Sequence, residues 1–265
     1  MAEITQHMSL EAIDGNSGRA YKGYKEDGTP IFVKYEVPPI VASLAKEHIT
    51  PPVLSMSREL GVGNRMEQEW LDGGLLSAED MASKQVMQIL HRLHFSGLLR
   101  HQAIQMKYQI NTPRDLLKNW EKTATVRLLR NTYLRQVCEE LKRHFPAFSE
   151  DKATVVHGDL HHRNWVRTKA GHIYLTDWET VHLADRMQDV AYILTHYIPR
   201  NSWKEWLTNY GYRDTPMVLE KLYWYGQLAY LNQITKDMET NNLEAANREI
   251  YALRQFKEEF YQYPL

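Results

Sequence analysis

The hydrophobic and polar positions near the start of the chain alternate in the way that β-strands require. In residues 31–37 every odd position is hydrophobic or aromatic, whereas Lys34 belongs to the opposite face. Residues 20–24 form a similar run, and the Asp27-Gly28 pair between the two runs is a turn signal, so the pattern predicts a β-hairpin. The elements predicted next are a short helix over residues 41–48 and a strand over residues 65–71.

Farther along the chain, apolar residues recur at intervals of three and four, which is the spacing of a helix. Residues 86–93 contain one such stripe, and Ser77 with Asp80 suits the start of that helix. The elements predicted beyond it are two helices within residues 113–145, a strand over 153–156, a hairpin of 165–167 with 172–176, and a long helix over 217–234.

The order of these elements predicts an α+β fold, because a strand-rich part is followed by a helix-rich part. We expect a small lobe with an antiparallel sheet over residues 1–71, and a larger, mostly helical lobe over residues 72–265. The segment Asp72-Gly73-Gly74 is the predicted linker between the two lobes.

Composition narrows the class of protein. Hydrophobic residues make up 43% of the 265 residues, which is enough for a sizeable core, and the formal net charge is −1. Such a balance gives no bulk attraction to nucleic acid or to an anionic membrane. The single cysteine, Cys138, excludes an internal disulfide and fits a reducing compartment. Because the sequence shows neither a secretory signal nor a long apolar run, we expect a cytoplasmic protein without membrane insertion or direct nucleic-acid binding.

The most informative segment begins at His157 and has the pattern H-x-D-x-x-x-x-N, in which Asp159 and Asn164 are the other fixed positions. It follows directly after a predicted apolar strand. Thirteen residues after Asn164, a second apolar strand ends at Asp177, within the sequence Asp-Trp-Glu that includes Glu179. The two motifs together are much more specific than either motif alone.

Phosphoryl transfer needs this set of groups. A carboxylate must orient the attacking hydroxyl and accept its proton, and oxygen ligands must hold Mg²⁺ against the phosphates. Asp159 suits the first task, whereas Asn164 and Asp177 suit the second. Aspartate and asparagine also form turns and helix caps, but their joint placement after two strands favours the chemical interpretation.

The histidines of this segment have other interpretations. We expect His157 to hold the loop by a hydrogen bond, and a catalytic role in direct proton transfer is the alternative. His161 and His162 are adjacent, so their side chains are expected to face apart unless the loop folds specially. Because no cysteine lies near them, the sequence does not indicate a zinc site.

Residues 157–164 and 177–179 resemble the catalytic loop and the metal-binding motif of the aminoglycoside phosphotransferase and choline kinase superfamily. The resemblance implies a protein kinase-like, two-lobed fold and use of ATP with Mg²⁺. It also implies that Asp159 is the catalytic base, that Asn164 and Asp177 bind magnesium, and that Asp189 braces the catalytic loop. Glu179 stands where many relatives carry a second aspartate, which makes it a candidate for contact with a second magnesium ion. Residues 90–94 resemble the central helix of the large lobe in that family.

The same resemblance assigns nucleotide binding to the small lobe. Lys34, in the middle of its strand, is similar to the kinase lysine that contacts the α- and β-phosphates, and a surface lysine is the alternative. Glu47 on the following helix is the expected partner of Lys34, with Glu59 as the second choice.

Two further segments are expected to contact the nucleotide. The first covers the phosphates with backbone N–H groups, unless it is an ordinary turn, and consists of Gly15, Asn16, Ser17 and Gly18. The second is the hinge that binds the base, and consists of Glu69, Trp70 and Leu71. Because backbone contacts leave little trace in a sequence, the choice between ATP and GTP stays open.

A closer resemblance concerns the acceptor. Residues 31–34, 67–71, 155–159 and 221–228 together are similar to the YtmP-type phosphotransferases of Firmicutes. This implies a kinase that acts on ribose- or deoxyribose-containing acceptors such as nucleosides. It also implies a cell-cycle role that links the division protein FtsZ to replication initiation through DnaA, with recruitment to the division site.

Two other functions remain open at this level. One is a docking protein that uses the kinase fold as a surface and in which catalysis is dispensable. The other is an aminoglycoside or choline phosphotransferase, which would need an acidic pocket or an aromatic cage. Seven aromatic residues of the large lobe are expected to belong mainly to the core; they are Trp203, Trp206, Tyr210, Tyr223, Trp224, Tyr225 and Tyr230.

Overall fold

The structure, a computed structural model, describes residues 10–13, 19–59 and 63–260, except for the side chain of Glu59. The strands in these residues are β1 (Glu11–Ala12), β2 (Ala20–Tyr24), β3 (Pro30–Tyr35), β4 (Val53–Glu59), β5 (Gly63–Glu69), β6 (Gly73–Leu75), β7 (Thr154–Val156), β8 (Trp165–Thr168), β9 (Ile173–Leu175) and β10 (His182–Ala184). The α-helices are α1 (Val41–Lys46), α2 (Lys84–Phe95), α3 (Gly97–Gln105), α4 (Pro113–Thr123), α5 (Val126–Arg130), α6 (Thr132–Arg143), α7 (Met187–Tyr197), α8 (Trp203–Tyr210), α9 (Pro216–Glu239) and α10 (Leu243–Glu259).

The first five strands form one antiparallel sheet in the order β1-β2-β3-β5-β4. Strand β3 lies at its centre, where Lys34 pairs with Ala20 of β2 and with Met66 of β5. Ile31 and Val33 of β3 are buried, as the alternating pattern requires. The prediction of an α+β fold with an antiparallel sheet is therefore confirmed. Strand β4 was not predicted, because most of its side chains are exposed or half-buried and carry no clear period.

The predicted linker at residues 72–74 is in part a strand. Residues Gly73–Leu75 form β6, which pairs with β8 in a three-stranded sheet of order β6-β8-β9. Gly73 permits this approach, because a Cβ atom there would lie 2.1 Å from the carbonyl oxygen of Arg167. The division into lobes between residues 71 and 72 stays a prediction.

The remaining strands lead into the two motifs, residues 157–164 and residues 177–179. Strand β7 pairs with β10 and ends at Val156, directly before His157. Strand β9 ends at Leu175, directly before Thr176 and Asp177. The backbone N–H of Thr176 donates to the carbonyl oxygen of Asn164 at 2.8 Å, which brings the two motifs together.

Three helices, rather than the predicted two, occupy residues 113–143. The side chains of Thr125 and Asn131 accept hydrogen bonds from Leu128 and Leu134, so each begins a new helix within the apolar pattern. The helix expected to start at Ser77 is a short 3₁₀ helix, Glu79–Ala82, and α2 begins after Ser83.

Helix α2 and the aromatic residues form much of the core. Val86, Ile89, Leu90 and Leu93 are buried as expected. Of the seven aromatic residues expected in the core, six are buried and Tyr223 is partly buried, which agrees with the core interpretation. Among the residues that the structure describes, no helix has both the length and the apolar composition to cross a membrane.

Candidate active site

The catalytic loop is held from its inner side by Asp189 of α7. One carboxylate oxygen accepts from the backbone N–H of His157 at 2.8 Å, and the other accepts from Gly158 at 3.0 Å. The Nε2 atom of His94 on α2 lies 3.0 Å from the first oxygen, and Asp189 is only 2% exposed. Burial alone would raise the pKa of Asp189, but these hydrogen bonds and the nearby histidines hold that pKa below its ordinary value. The bracing role expected of Asp189 is thus present in the structure.

His157 lies in the same buried layer. Its Nε2 atom donates to the carbonyl oxygen of Thr176 at 2.9 Å, and its Nδ1 atom accepts from the backbone N–H of Asp159 at 3.2 Å. Burial lowers the pKa of His157, which keeps the ring neutral. Because both nitrogens bind backbone and the side chain is fully buried, the ring has no access to a substrate. The catalytic alternative for His157 is therefore corrected to a positioning role.

Asp159 and Asn164 lie at opposite ends of the loop and are tied to each other. The Asn164 Nδ2 atom donates to the carbonyl oxygen of Asp159 at 2.9 Å, which leaves Oδ1 as the atom suited to a metal ion. The Asp159 carboxylate pairs with the Lys236 ammonium of α9, with 2.6 Å between Oδ1 and Nζ.

Lys34 joins the five-stranded sheet to the second motif. Its ammonium lies 2.8 Å from Oδ1 of Asp177 and 3.2 Å from Oε1 of Glu179. The lysine side chain is 13% exposed, whereas those carboxylates are 46% and 43% exposed. Asp177 has φ +61°, a left-handed conformation that aspartate adopts more readily than most residues. The cluster offers both a cation for phosphates and oxygen ligands for a metal ion.

The donor atoms of this site fit magnesium. Asn164 and Asp177 supply hard oxygen ligands, and the hydrogen bond from Thr176 to Asn164 keeps them adjacent. Mg²⁺ in phosphoryl-transfer sites takes one or two protein carboxylates together with substrate phosphates. The described residues contain no group of three or more His, Cys, Asp or Glu side chains placed to hold a metal ion, which such a site does not need.

The adjacent histidines contact each other, contrary to expectation, with ring centroids 4.1 Å apart. The Nδ1 atom of His161 accepts from the backbone N–H of Arg163 at 3.2 Å, and His162 binds the Tyr197 hydroxyl through its backbone N–H. These bonds place the histidine pair in the structure of the loop.

Glu47 is corrected as the partner of Lys34. It follows the last residue of α1 as the C-cap, and its carboxylate accepts from the Ser96 hydroxyl at 3.3 Å. Its carbonyl oxygen accepts from Arg92 of α2 at 2.9 Å, so Glu47 joins the helices instead. The second choice, Glu59, has a side chain outside the described part of the chain.

The other predicted nucleotide contacts stay predictions. Gly15, Asn16, Ser17 and Gly18 lie outside the described residues. The expected hinge runs from Glu69, the last residue of β5, through Trp70 and Leu71 to β6. There the Lys22 ammonium lies 4.8 Å from the centroid of the Trp70 ring.

A pocket opens beside Asp159, between the catalytic loop and helices α7 and α9. The side chains that line it are mostly neutral, and they include Gln188, Tyr192, Asn232, Gln233 and Lys236. None of these residues was identified from the sequence. The sequence feature that could have identified the α9 side of the pocket is a spacing of three and four residues. It places residues 225, 228, 229, 232 and 236 on one face of the helix.

A kinase-like fold in which Lys34 meets Asp177 and Glu179 next to the loop that bears Asp159 and Asn164 defines a phosphotransferase as the class of protein. The model of the phosphotransferase enzyme family (APH) matches residues 42–225, more than half of the chain. The chain belongs to this family and is a phosphotransferase. Lys34 and Lys236 lie outside the matched residues, so their roles rest on geometry.

Solved structures share the fold across almost the whole chain. Choline kinase LicA from Streptococcus pneumoniae is 17% identical, with a TM-score of 0.66 and coverage of 94% of this chain and 95% of that chain. A choline/ethanolamine kinase family protein from Mesorhizobium loti is 15% identical, with a TM-score of 0.64 and coverage of 97% and 91%. The GDP complex of aminoglycoside 2'-phosphotransferase-IIIa is 12% identical, with a TM-score of 0.63 and coverage of 95% and 93%. At these identities the likeness shows the fold alone.

Proposed function

We propose that this phosphotransferase is a magnesium-dependent kinase that moves the γ-phosphoryl group of ATP to a hydroxyl of a ribose- or deoxyribose-containing small molecule. The observation that carries the proposal is the meeting of Lys34 with Asp177 and Glu179 beside the loop that bears Asp159 and Asn164. Nucleotides in related structures support nucleotide use, since LicA has been solved with AMP and aminoglycoside 2'-phosphotransferase-IIIa with GDP.

Each of these side chains has one task in the proposed reaction. Lys34 steadies the phosphates through its ammonium, and Asn164 and Asp177 would hold the magnesium ion. When bound, that ion supplies neutralisation of the charge on the β- and γ-phosphates. Asp159 orients the acceptor hydroxyl and takes its proton late, because the transition state is loose.

In the proposed transfer one bond to the γ-phosphorus forms and one breaks. The acceptor oxygen forms a bond to the γ-phosphorus while the bond from that phosphorus to the bridging oxygen breaks. The hydroxyl proton passes to Asp159, and the nucleoside diphosphate leaves. His157 and Asp189 take no proton in this scheme, because both are buried behind the loop.

The sugar acceptor is supported by the pocket and by the resemblance to YtmP-type enzymes. Asn232 and the amide NH₂ group of Gln188 are neutral hydrogen-bonding groups of the kind that bind sugar hydroxyls, whereas the amide of Gln233 already binds Tyr192 and Asp237. The YtmP-type enzymes include the cell-cycle regulator CcrZ. By that resemblance, the proposal extends to a cell-cycle role in which this protein links FtsZ to DnaA and is recruited to the division site. GTP as an alternative phosphoryl donor belongs to the same proposal.

The test is nucleotide consumption by the purified protein with Mg²⁺, ATP or GTP, and one acceptor at a time. Ribose, deoxyribose, nucleosides, choline and kanamycin form the panel. Asp159→Ala and Asp177→Asn should each lower turnover by about a hundredfold or more, the scale of a lost acid–base or charge-stabilising group. Asparagine keeps the left-handed backbone at position 177 while removing the charge.

The matched control is Asp214→Ala, which removes an exposed aspartate that pairs with Lys204 and does not line the pocket beside Asp159. It should leave turnover unchanged. Comparable activity in folded Asp177→Asn would contradict the metal assignment. Absence of turnover with every acceptor, from folded protein that binds nucleotide, would favour the docking protein instead.

A further inference from the structure

The proposed acceptor pocket carries a positive charge, the ammonium of Lys236, next to the carboxylate of Asp159. Asp159 points to Lys236, and 2.6 Å separate the carboxylate oxygen from the ammonium. Lys236 lies in the last turn of α9, and its side chain is 42% exposed, so it can respond to an incoming molecule. The family match ends before this residue, and family membership therefore implies nothing about its role.

The other carboxylate in the described lining of this pocket is not available to a ligand. Asp189 is almost fully buried, and its oxygens bind two backbone N–H groups and His94. A cationic acceptor in the pocket would therefore find a single reachable carboxylate, Asp159, already paired with Lys236. It would also meet the ammonium of Lys236 at short range, where like charges repel.

The aromatic residues of the pocket do not replace that missing attraction. The Tyr192 ring stacks on His196 with centroids 4.3 Å apart, and the Tyr225 ring packs against Trp224. One face of the Tyr192 ring is covered by His196, and Tyr225 is only 1% exposed, so these rings offer little open face to a quaternary ammonium. The remaining polar lining consists of neutral amides, which suit hydroxyl groups.

We propose that Lys236 is a specificity-determining residue that makes the acceptor site reject molecules with a cationic group near the reacting hydroxyl. Acceptors without such a group, for example neutral sugars, displace the ammonium from Asp159 with their hydroxyl and leave Lys236 beside their other oxygens. This inference rests on the proposed function for the identity of the acceptor site, and it names the class of acceptor.

Binding tests the charge effect without turnover. Choline and its neutral, equally shaped analogue 3,3-dimethylbutan-1-ol are titrated calorimetrically into protein loaded with Mg²⁺ and a non-hydrolysable ATP analogue. Lys236→Glu should bind choline at least about tenfold more tightly than the wild type, because a repulsive charge becomes attractive. Binding of the neutral analogue should change by less than about threefold, since it carries no charge.

Two further variants keep the test sharp. Lys236→Met removes the charge without reversing it, and should shift choline binding in the same direction by a smaller factor. Lys204→Met is the matched control, because Lys204 also pairs with an aspartate, at 3.4 Å, on α8 away from the pocket. It should bind both compounds as the wild type does.

Turnover gives a second readout. The ratio of kcat/KM for ribose to kcat/KM for choline or kanamycin should fall at least about tenfold in Lys236→Glu, mainly through KM of the cation. An unchanged ratio and unchanged choline binding would overturn the role of Lys236 while the kinase function stands. Tighter choline binding in a protein that turns over no acceptor would support Lys236 and overturn the proposed function.

Discussion

The two sides of the catalytic loop differ in burial and in the partners of their polar groups. On the inner side, His157 and Asp189 are buried and bind backbone atoms of the loop. On the outer side, Asp177 and Glu179 are nearly half exposed, and their partner is the ammonium of Lys34. The inner contacts fix the shape of the chain, whereas the outer contacts join a lysine to carboxylates that solvent can reach.

The difference in burial decides how easily a charged side chain can change its partner. A buried charge cannot lose its partners without being left unpaired, which costs several kcal/mol. An exposed ion pair contributes about 0–1 kcal/mol, because water replaces either partner. The loop is therefore held firmly from behind, while the nearly half-exposed Asp177 can turn to a metal ion because the largely buried Lys34 keeps Glu179 as a partner.

The largest expected effect is on the inner side. Asp189→Ala should lower the free energy of unfolding by about 3–5 kcal/mol, because two backbone N–H groups and His94 lose their acceptor in a buried place. Turnover should fall as well, because the loop that carries Asp159 loses its support. Denaturant titration of the variant measures the loss.

Asp214→Ala serves as the comparison for this measurement, since Asp214 is about half exposed. Its free energy of unfolding should stay within about 0.5 kcal/mol of the wild type. A value for Asp189→Ala as close to the wild type as that would contradict the bracing role.

The second effect is on the outer side of the loop, where we expect a large loss of activity with little loss of stability. Lys34→Met should lower kcat/KM by about a hundredfold, the scale of one lost charge-stabilising group. The free energy of unfolding should change by less than about 1 kcal/mol, because the carboxylates left behind are solvated. Steady-state kinetics and denaturant titration on the same preparation separate the two quantities.

Lys25→Met is the control for this variant, because Lys25 is an exposed lysine in the turn of the same hairpin. It should change neither turnover nor stability. If Lys34→Met destabilised the fold as strongly as Asp189→Ala, the distinction between the two sides of the loop would be lost.

The fold was predictable where one physical signal dominated. Strand β2 has the predicted bounds, and the alternating burial of β3 follows directly from its sequence. The break between α4, α5 and α6 was missed, because the caps Thr125 and Asn131 interrupt an apolar pattern that continues through them. Strand β6 was missed because glycines indicate a linker, and their role in close backbone approach depends on a distant strand.

In the site, too, the sequence reveals residues whose spacing along the chain is informative but not contacts that depend on packing. The H-x-D-x-x-x-x-N segment and the Asp-Trp-Glu sequence identify chemistry through residue type and spacing along one stretch of chain. Lys236 gave no such signal, because its contact with Asp159 joins positions 77 residues apart and depends on how α9 packs. Glu47 was assigned to Lys34 by analogy, and the direction of α1 decided otherwise.

The smallest expected effect concerns His161, which lies at the boundary between the two sides. Burial, together with the neighbouring side chains of His162 and Arg163, lowers the pKa of His161 to about 4. In the unfolded chain a histidine has a pKa of about 6.5. Between these values the unfolded chain binds a proton that the folded chain does not, so stability falls as the pH drops from about 6.5 towards 4.

His161→Gln removes this contribution, and the variant should lose less stability than the wild type between pH 7.5 and pH 5. The two proteins should differ in the pH dependence of unfolding by the uptake of less than one proton, because the His161 ring is only partly buried. Thermal unfolding at several pH values measures it, with His101→Gln on α3 as an exposed control that should follow the wild type. Identical pH dependence in His161→Gln and the wild type would mean that water reaches this ring as freely as it reaches Asp177, and the inner side of the loop would then end at His157.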